Sequence, residues 1–343
     1  MHDARNPRPD PSIEISEGDI EDVSECPVCG GRDTHVCFPD LHDTEEGVGG
    51  TWSMAKCAQC CSLFLSSRLR EGALYKAYGT YYTHSADDSG NLVVSAGGWT
   101  SRVVRSYLAF RHGVPFDDAS RPLARLVALA RPLALQLDYL MRNVPPSRGR
   151  LLDVGCGNGG FLLRARQAGW KAMGVEPDPM AARVARQVSG VEVLETIESV
   201  DRECFDFVTL SHVIEHVHRP LDLLRGCCAT LRGSGEIWIA TPNIASIGSR
   251  VFGPAWQPLE VPRHLVMPSA SGLQCLLGRA GFVDVRFIKR GRGAHKRLLA
   301  SCERARLLGR KAPPAMLLSP LVDLAASISA FAGEEIVVMA RKP

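Results

Sequence analysis

The sequence lacks several features that would assign it to a class at once. It has no excess of charge of either sign, because 40 Lys and Arg residues nearly balance 37 Asp and Glu residues and leave a formal net charge of +3. This balance favours neither a nucleic acid nor an anionic membrane as the main partner. No internal repeat, no bilayer-crossing apolar run and no signal-peptide core is evident. We therefore expect a cytoplasmic protein without a nucleic-acid partner.

Paired Cys-x-x-Cys motifs are the clearest metal-binding pattern present. The chain has 12 cysteines, and in a reducing cytoplasm metal ligation is favoured over disulfides. Two residues between thiols let both sulfurs of a motif reach one tetrahedral Zn²⁺, and two motifs complete the ligand set. Four protein ligands leave no open position, so we expect a structural zinc. The expected ligands are Cys26, Cys29, Cys57 and Cys60, with Cys61 competing with Cys60 and Cys37 a weaker candidate.

A glycine-rich turn indicates a nucleotide-binding site. The apolar residues before it predict a buried strand, and the glycines predict a tight turn into a helix. Gly155, Gly157 and Gly160 fit G-x-G-x-x-G, the dinucleotide fingerprint, and Glu176 ends the next strand, where it could hold a ribose. Asp153 changes this interpretation, because a carboxylate at the strand end repels a pyrophosphate and suits a ligand with a cationic amino group.

This stretch resembles the first motif of the class I S-adenosylmethionine-dependent methyltransferases, a hydrophobic pair followed by D-x-G-x-G. The resemblance implies a Rossmann-like α/β sheet, mostly parallel with an antiparallel last strand, and S-adenosylmethionine as the cofactor. It also implies that the glycine loop wraps the amino-acid part of the cofactor and that Glu176 binds both ribose hydroxyls. The expected cofactor-binding residues are Asp153, Gly155, Cys156, Gly157, Glu176, Thr196, Ile197 and Ser211.

The segment after the second Cys motif supports the same resemblance. A zinc ribbon followed by Tyr81-Tyr82-Thr83-His84 is similar to the front end of methyltransferases of glycan and natural-product biosynthesis, and a related ribbon precedes the core of deoxysugar C-methyltransferases. Tyr81 and Tyr82 would then contact the acceptor or pack the ribbon onto the core. The polar, glycine-rich stretch 87–98 is typical of a lid loop.

The sequence His212-x-x-Glu215-His216 matches an inverted zinc-protease motif, in which two histidines one helical turn apart bind zinc. Its context argues against that function, because it directly follows the fourth predicted strand and Pro220 would end any helix within one turn. The same letters are similar to the motif that borders the methyl-transfer cleft in the resembled family. We therefore expect no second zinc there.

Methyl transfer to a hydroxyl or carbon acceptor requires a base, and histidine suits that role near neutral pH. The candidates, in order, are His264, His216, His212 and His84. The segment Pro262-Arg263-His264-Leu265 also resembles the family, and the charge of Arg263 should lower the pKa of His264. The expected acceptor-contacting residues are Tyr81, Tyr82, Asn243, Trp256 and Arg263.

The predicted organisation is a disordered tail (1–25), a zinc ribbon (26–70), a helical cap or lid (71–148) and a methyltransferase core (149–343) with insertions at 244–267 and 291–333. The second insertion is basic in its first half and apolar in its second. It predicts either a solvated helix followed by a packing helix or a weak contact with a membrane surface.

The function predicted is methyl transfer to a small or carrier-linked metabolite, of sugar or polyketide type, by O- or C-methylation in a monomer or homodimer. A non-catalytic S-adenosylmethionine-binding scaffold and a nicotinamide-dependent oxidoreductase are the alternatives. The scaffold would tolerate the loss of every candidate base, and the oxidoreductase would bind a dinucleotide.

Overall fold

The computed structural model describes residues 14–78, 98–146, 148–291 and 293–343. Tyr81, Tyr82, His84 and nearly all of the expected lid loop lie outside the described residues. Within the described ranges, no helix is both long and apolar enough to span a membrane.

The N-terminal part forms short antiparallel strands around the Cys motifs. β2 pairs with β3 and β3 pairs with β4, while β1 pairs with β5. The prediction of a disordered tail to residue 25 is therefore wrong for its last part, because β1 lies within it and is held by backbone hydrogen bonds to β5. The strands are β1 (Ile20–Asp22), β2 (Thr34–Leu41), β3 (Trp52–Cys57), β4 (Leu63–Leu65) and β5 (Ser67–Leu69).

Three helices follow, namely α1 (Trp99–His112), α2 (Arg121–Leu129) and α3 (Arg131–Leu140). A proline in the first turn of α2 and another in the first turn of α3 explain why two helices form where the apolar pattern is continuous. Proline is tolerated in the first helical turn, where its missing N–H is not needed, but not in a helix interior. The break predicted near Arg131 is thus observed at Ala130.

The core is a seven-stranded sheet in the order β12-β13-β10-β9-β6-β7-β8. β8, β7, β6, β9 and β10 run parallel, whereas β13 is antiparallel to both of its neighbours. This is the predicted α/β class with an antiparallel last strand. The strands are β6 (Arg150–Val154), β7 (Lys171–Val175), β8 (Val193–Leu194), β9 (Phe205–Ser211), β10 (Leu231–Pro242), β12 (Val283–Ile288) and β13 (Glu335–Arg341).

Helices cover both faces of this sheet. Successive side chains of a strand point to opposite faces, so Leu151 and Leu152 of β6 enter different apolar clusters. Leu151 packs with residues of α1 to α4, and Leu152 packs with residues of α6 and α8. The remaining helices are α4 (Gly160–Gln167), α5 (Pro179–Ser189), α6 (Pro220–Thr230), α7 (Ile247–Phe252), α8 (Ala270–Arg279), α9 (Ala294–Leu307) and α10 (Ala315–Ile328).

The insertion after β10 joins the zinc ribbon to the core. Its short strand β11 (Val266–Met267) pairs antiparallel with β4, so ribbon and core share one four-stranded sheet. The N–H of Leu65 donates to the carbonyl of Leu265 (3.0 Å), and the N–H of Leu265 donates to the carbonyl of Glu215 (2.8 Å). The ribbon is therefore hydrogen-bonded to the segment that carries His264, and that segment is bonded to the one that carries His216.

Candidate active site

The four predicted cysteine ligands come together at one point. Their sulfurs lie within 4.8 Å of one another, with Cys26–Cys60 at 3.6 Å and Cys29–Cys57 at 3.5 Å. Sulfurs around a tetrahedral Zn²⁺ at about 2.3 Å are separated by about 3.8 Å, so the donor set fits this ion. Cys61 is exposed and has a positive φ of 58°, which points to Cys60 as the fourth ligand. Cys37 bonds the carbonyl of Met54 instead.

The glycine loop follows β6 at the carboxyl edge of the parallel strands, where ligands bind in open α/β sheets. The N–H groups of Gly155 and Cys156 both donate to the carbonyl of Val175 (2.8 and 3.1 Å), which fixes the loop against the end of β7. Gly155 has φ of 68°, and a Cβ there would lie 2.4 Å from Val213. Glycine is thus required both for the backbone conformation and for the space.

Glu176 lies beside this loop, and both of its carboxylate oxygens accept backbone hydrogen bonds. Its Oε2 accepts the N–H of Gly157 (2.8 Å), and its Oε1 accepts the N–H of Asp178 (3.1 Å). Each carboxylate oxygen can accept a second hydrogen bond, so the arrangement fits a ligand with two adjacent hydroxyls. Burial raises the pKa of Glu176, and the two backbone hydrogen bonds oppose this shift.

Asp153 differs in part from its predicted role. It is fully buried, and its Oδ1 accepts hydrogen bonds from Arg142 and from the hydroxyl of Thr209. Its Oδ2 has no partner among the described residues. Burial raises the pKa of Asp153, against the effects of Arg142 and Thr209. Oδ1 therefore links the end of β6 to Arg142 and to Thr209 of β9. Oδ2 is an unsatisfied acceptor that fits a ligand with an ammonium donor.

The other predicted cofactor residues lie along the same edge. Cys156 is buried in the loop, and Ser211 ends β9 next to Ala240 of β10. Thr196 and Ile197 follow β8; Thr196 is exposed, with its hydroxyl 3.1 Å from that of Ser199, and Ile197 is buried. These positions are compatible with a cofactor lying across the ends of β6, β7 and β8.

His212 lies between two acidic side chains, Glu215 and Glu335. Its Nδ1 lies 3.0 Å from Glu215, and its Nε2 lies 2.6 Å from Glu335 and 3.2 Å from Nη2 of Arg297. The backbone at His212 has a positive φ of 55°. Burial alone would lower the pKa of His212, but the hydrogen bonds to these carboxylates raise it to about 9. A histidine that is protonated at neutral pH cannot accept a proton, so His212 does not suit the base role.

His216 and His264 pack against each other, with ring centroids 4.6 Å apart. Nδ1 of His264 lies 2.7 Å from the carbonyl of Pro258, and Nδ1 of His216 lies 3.1 Å from the carbonyl of Arg263. A carbonyl only accepts, so each Nδ1 carries the proton and each Nε2 keeps its lone pair. Burial lowers the pKa of both rings to about 4, so both are neutral near pH 7.

The same two histidines and Glu215 each bring one ligand atom to within 4.8 Å of the others. Two imidazoles and a carboxylate are a donor set that could hold a divalent cation. His212 does not belong to this grouping, because its Nε2 lies 2.6 Å from Glu335. The grouping with His264 could not be read from the motif, since it depends on the fold.

Three residues expected to contact the acceptor have their polar groups bonded inside the protein, which disagrees with that role. The amide of Asn243 donates to the carbonyls of Phe331 and Gly333, and the indole of Trp256 donates to Glu334. Arg263 is fully buried and bonds Asp43, Glu260 and the carbonyl of Ala77. Their long-range partners explain the difference, because nothing near them in sequence indicates these contacts.

Two residues that contact these histidines were not predicted from the sequence. The hydroxyl of Tyr78 lies 2.9 Å from Nδ1 of His216, and Glu335 bonds His212, Arg290 and Arg297. Tyr78 lies three residues before Tyr81, the first residue of the tyrosine pair that was predicted to contact the acceptor. Glu335 is the first residue of the last strand and belongs to none of the motifs recognised in the sequence.

Comparison with known proteins finds one matching family profile and several relatives that match part of the chain. The profile of a family described as "Methyltransferase domain" matches residues 125–286. The ubiquinone biosynthesis O-methyltransferase of Xanthomonas axonopodis pv. citri is 31% identical over 135 residues, which are 37% of this chain and 55% of that protein. The tRNA U34 carboxymethyltransferase of Desulfotalea psychrophila is 29% identical over 157 residues, 43% of this chain and 49% of that protein.

The chain thus spans about half the length of these curated relatives. Among solved structures, an S-adenosylmethionine-dependent methyltransferase of Thermotoga maritima has a TM-score of 0.42 and 21% identity, and the match covers 64% of this chain and 90% of that one. The matched residues include β6 to β11, and with them the glycine loop, Glu176, His216 and His264. Residues 125–286 therefore match a methyltransferase domain, and the Cys₄ cluster that precedes them in the chain fits a structural zinc.

Proposed function

We propose that the protein transfers the methyl group of S-adenosylmethionine to a small or carrier-linked acceptor. The observation that carries this proposal is the contact between the glycine loop and the acidic end of β7, where Gly157 donates to Glu176 at 2.8 Å. It places a carboxylate with free acceptor capacity beside a loop whose glycines allow a close approach of the ligand.

The chemistry is an in-line displacement at a carbon already activated by the sulfonium of the cofactor. The protein then mainly positions the two reactants and excludes water, which contributes several kcal/mol. Glu176 would hold the ribose, and the free Oδ2 of Asp153 would accept from the amino group of the cofactor.

His264 is the base that we propose for the acceptor. Its Nδ1–H is anchored on Pro258, which leaves the Nε2 lone pair to accept a proton. Glu260 lies 3.6 Å from that nitrogen, so a carboxylate is available to stabilise the imidazolium that forms. His216, less buried and bonded to Tyr78, is the second candidate. A general base typically raises the reaction rate by about 10²–10⁴-fold. Because the pKa of His264 is near 4, we expect a rate enhancement at the lower end of that range.

The acceptor class is proposed from the resemblance and from charge. A sugar or polyketide-type metabolite, O- or C-methylated, suits the ribbon-bearing architecture, whereas the named relatives act in ubiquinone biosynthesis and on tRNA. A net charge of +3 over 343 residues gives little electrostatic attraction for nucleic acid. The 12 cysteines form no disulfide, which suits a reducing cytoplasm.

A thermal-shift experiment tests the cofactor. S-adenosylhomocysteine should raise the melting temperature of the wild-type protein, and NAD should not, because only a ligand bound by the folded state stabilises it. Stabilisation by NAD alone would contradict the proposal and favour an oxidoreductase.

Methyl incorporation then tests the acceptor, with a nucleotide-linked deoxysugar, a catechol and transfer RNA as probes. Incorporation into the sugar or the catechol is expected. Incorporation only into transfer RNA would contradict the proposed acceptor class. Cofactor binding without transfer to any acceptor would leave the scaffold alternative.

A further inference from the structure

We propose that α10 and the basic segment before it form a docking surface for an anionic lipid membrane. The surface, called here the α10 surface, contains six exposed aliphatic residues and three exposed basic residues. They are Arg306, Leu307, Arg310, Lys311, Met316, Leu317, Leu321, Leu324 and Ile328.

The aliphatic side chains of α10 are exposed to an unusual degree for a folded protein. Met316 and Leu317 are 78% and 73% exposed, and Leu321, Leu324 and Ile328 are each more than half exposed. Single exposed apolar residues are ordinary, but a contiguous group of this size marks an interaction site.

The spacing shows that this group is one face of the helix. At 3.6 residues per turn, positions 316, 317, 320, 321, 324 and 328 fall within a single stripe, and the buried residues Ala315, Ser319, Val322 and Ala326 lie opposite. The helix is thus apolar on both sides. Such a helix is normally covered all round, either by protein or by lipid.

The charged residues near α10 indicate whether protein or lipid would bury its exposed face. Arg306, Arg310 and Lys311 are exposed and have no ion-pair partner among the described residues. The acidic residues between positions 303 and 328 are Glu303, which is exposed, and Asp323, whose Oδ1 accepts the N–H groups of Gly293 and Ala294. Three exposed basic residues against one exposed acidic residue leave a net positive charge beside the exposed aliphatic residues.

An anionic bilayer matches both features, since it offers hydrocarbon to the aliphatic stripe and negative headgroups to the basic residues. A helix of 14 residues is too short to cross the hydrocarbon core, so it would lie in the plane of the interface. A second copy of the chain fits less well, because a symmetric contact through α10 would bring two sets of like charges together.

Vesicle flotation tests this proposal independently of methyl transfer. Wild-type protein should float with vesicles of phosphatidylcholine and phosphatidylglycerol, bind at least tenfold less to phosphatidylcholine alone, and be released by high salt. The double variant Leu317→Glu/Leu321→Glu should reduce binding at least tenfold. The matched control Leu126→Glu, which alters a residue 64% exposed on α2, should bind like the wild type.

The replaced residues are exposed, so each variant should keep the wild-type melting temperature and its affinity for S-adenosylhomocysteine. Absence of wild-type flotation, or unchanged flotation of the double variant, would overturn the proposal. A dimer that the double variant abolishes, in a protein that binds no vesicles, would assign the α10 surface to a second copy instead.

Discussion

Arg263 and Asp43 form a buried, two-point ion pair that joins the histidine segment to the zinc ribbon. Nη1 of Arg263 lies 2.9 Å from Oδ2 of Asp43, and Nη2 lies 3.0 Å from Oδ1. Both side chains are about 1% exposed. Since His264 follows Arg263 directly, this pair helps to set the position of the proposed base. Burial alone would raise the pKa of Asp43, but Arg263 lowers it below its usual value, so the carboxylate is charged.

Replacing Asp43 by Asn should destabilise the protein strongly, because it leaves the buried guanidinium of Arg263 without its main partner. Breaking a buried pair from one side costs about 3–5 kcal/mol. The free energy of unfolding, measured by urea denaturation, gives this cost. The exposed pair Arg32–Glu25 supplies the control, and Glu25→Gln should change the free energy by less than about 1 kcal/mol. Equal, small effects of both substitutions would contradict the structural role of the Arg263–Asp43 pair.

The Cys₄ cluster predicts a metal content that elemental analysis can measure. Purified protein should contain about one zinc per chain. Cys26→Ser should lower that value and destabilise the ribbon, because Cys26 is a buried member of the cluster. Cys61→Ser is the matched control, since Cys61 is adjacent to Cys60 but exposed, and it should retain the metal. Loss of zinc from Cys61→Ser with retention in Cys26→Ser would show that the ligands are assigned incorrectly.

The ion pairs of His212 should make stability depend on pH in a defined direction. The pKa of His212 is raised to about 9, above the value of about 6.5 in an unfolded chain, so the folded state binds this proton more tightly. The stabilisation is therefore fully present below about pH 6.5 and is lost as the pH rises through about 9.

Consequently, His212→Ala should reduce the free energy of unfolding more at about pH 6 than at about pH 10. His35→Ala, on the exposed side of β2, should change it by less than about 0.5 kcal/mol at either pH. A cost of His212→Ala that grows with pH would mean that the side chain is neutral in the folded protein.

The proposed base can be tested once the acceptor assay identifies a substrate. His264→Ala should lower kcat by about 10²-fold or more and leave the affinity for S-adenosylhomocysteine within about threefold. His216→Ala should have the smaller effect on kcat. Because the pKa of His264 is about 4, wild-type kcat should not fall between about pH 8 and 6, as it would with a base of ordinary pKa.

A larger loss in His216→Ala than in His264→Ala would reverse the two roles, and no loss in either would remove the base. Dialysis against a chelator separates a further case. If activity then falls and returns with a divalent cation while the Cys₄ zinc stays in place, Glu215, His216 and His264 hold an ion instead.

The parts of this protein that follow from the sequence are those determined by local patterns. The glycine spacing after an apolar run predicts β6, its turn and α4, and the prolines at 122 and 132 predict the break between α2 and α3. Arg263 and Trp256 were misassigned because their partners, Asp43 and Glu334, are 220 and 78 residues away in the chain. Likewise, pairing of β4 with β11 cannot be read from two short apolar runs.

His212 illustrates the same limit within a motif. Its spacing to His216 is correct for a shared ligand on a helix, but the backbone at His212 is left-handed and only Ile214–His216 forms a turn of 3₁₀ helix. The side chain therefore meets Glu335, which is 123 residues away. His264, close in space but not in sequence, lies beside His216 instead.

Calorimetric titration of S-adenosylhomocysteine into the wild-type protein and into Glu176→Ala tests the central claim most directly. Charged hydrogen bonds are worth about 1.5–3 kcal/mol each, so loss of the proposed ribose ligand should weaken binding at least tenfold. The control Glu192→Ala, which removes an exposed carboxylate next to β8, should keep the wild-type affinity. Saturable binding of one ligand per chain, weakened only in Glu176→Ala, is the expected result. Unchanged affinity in Glu176→Ala, or no binding by the wild type, would contradict the assignment of the cofactor site.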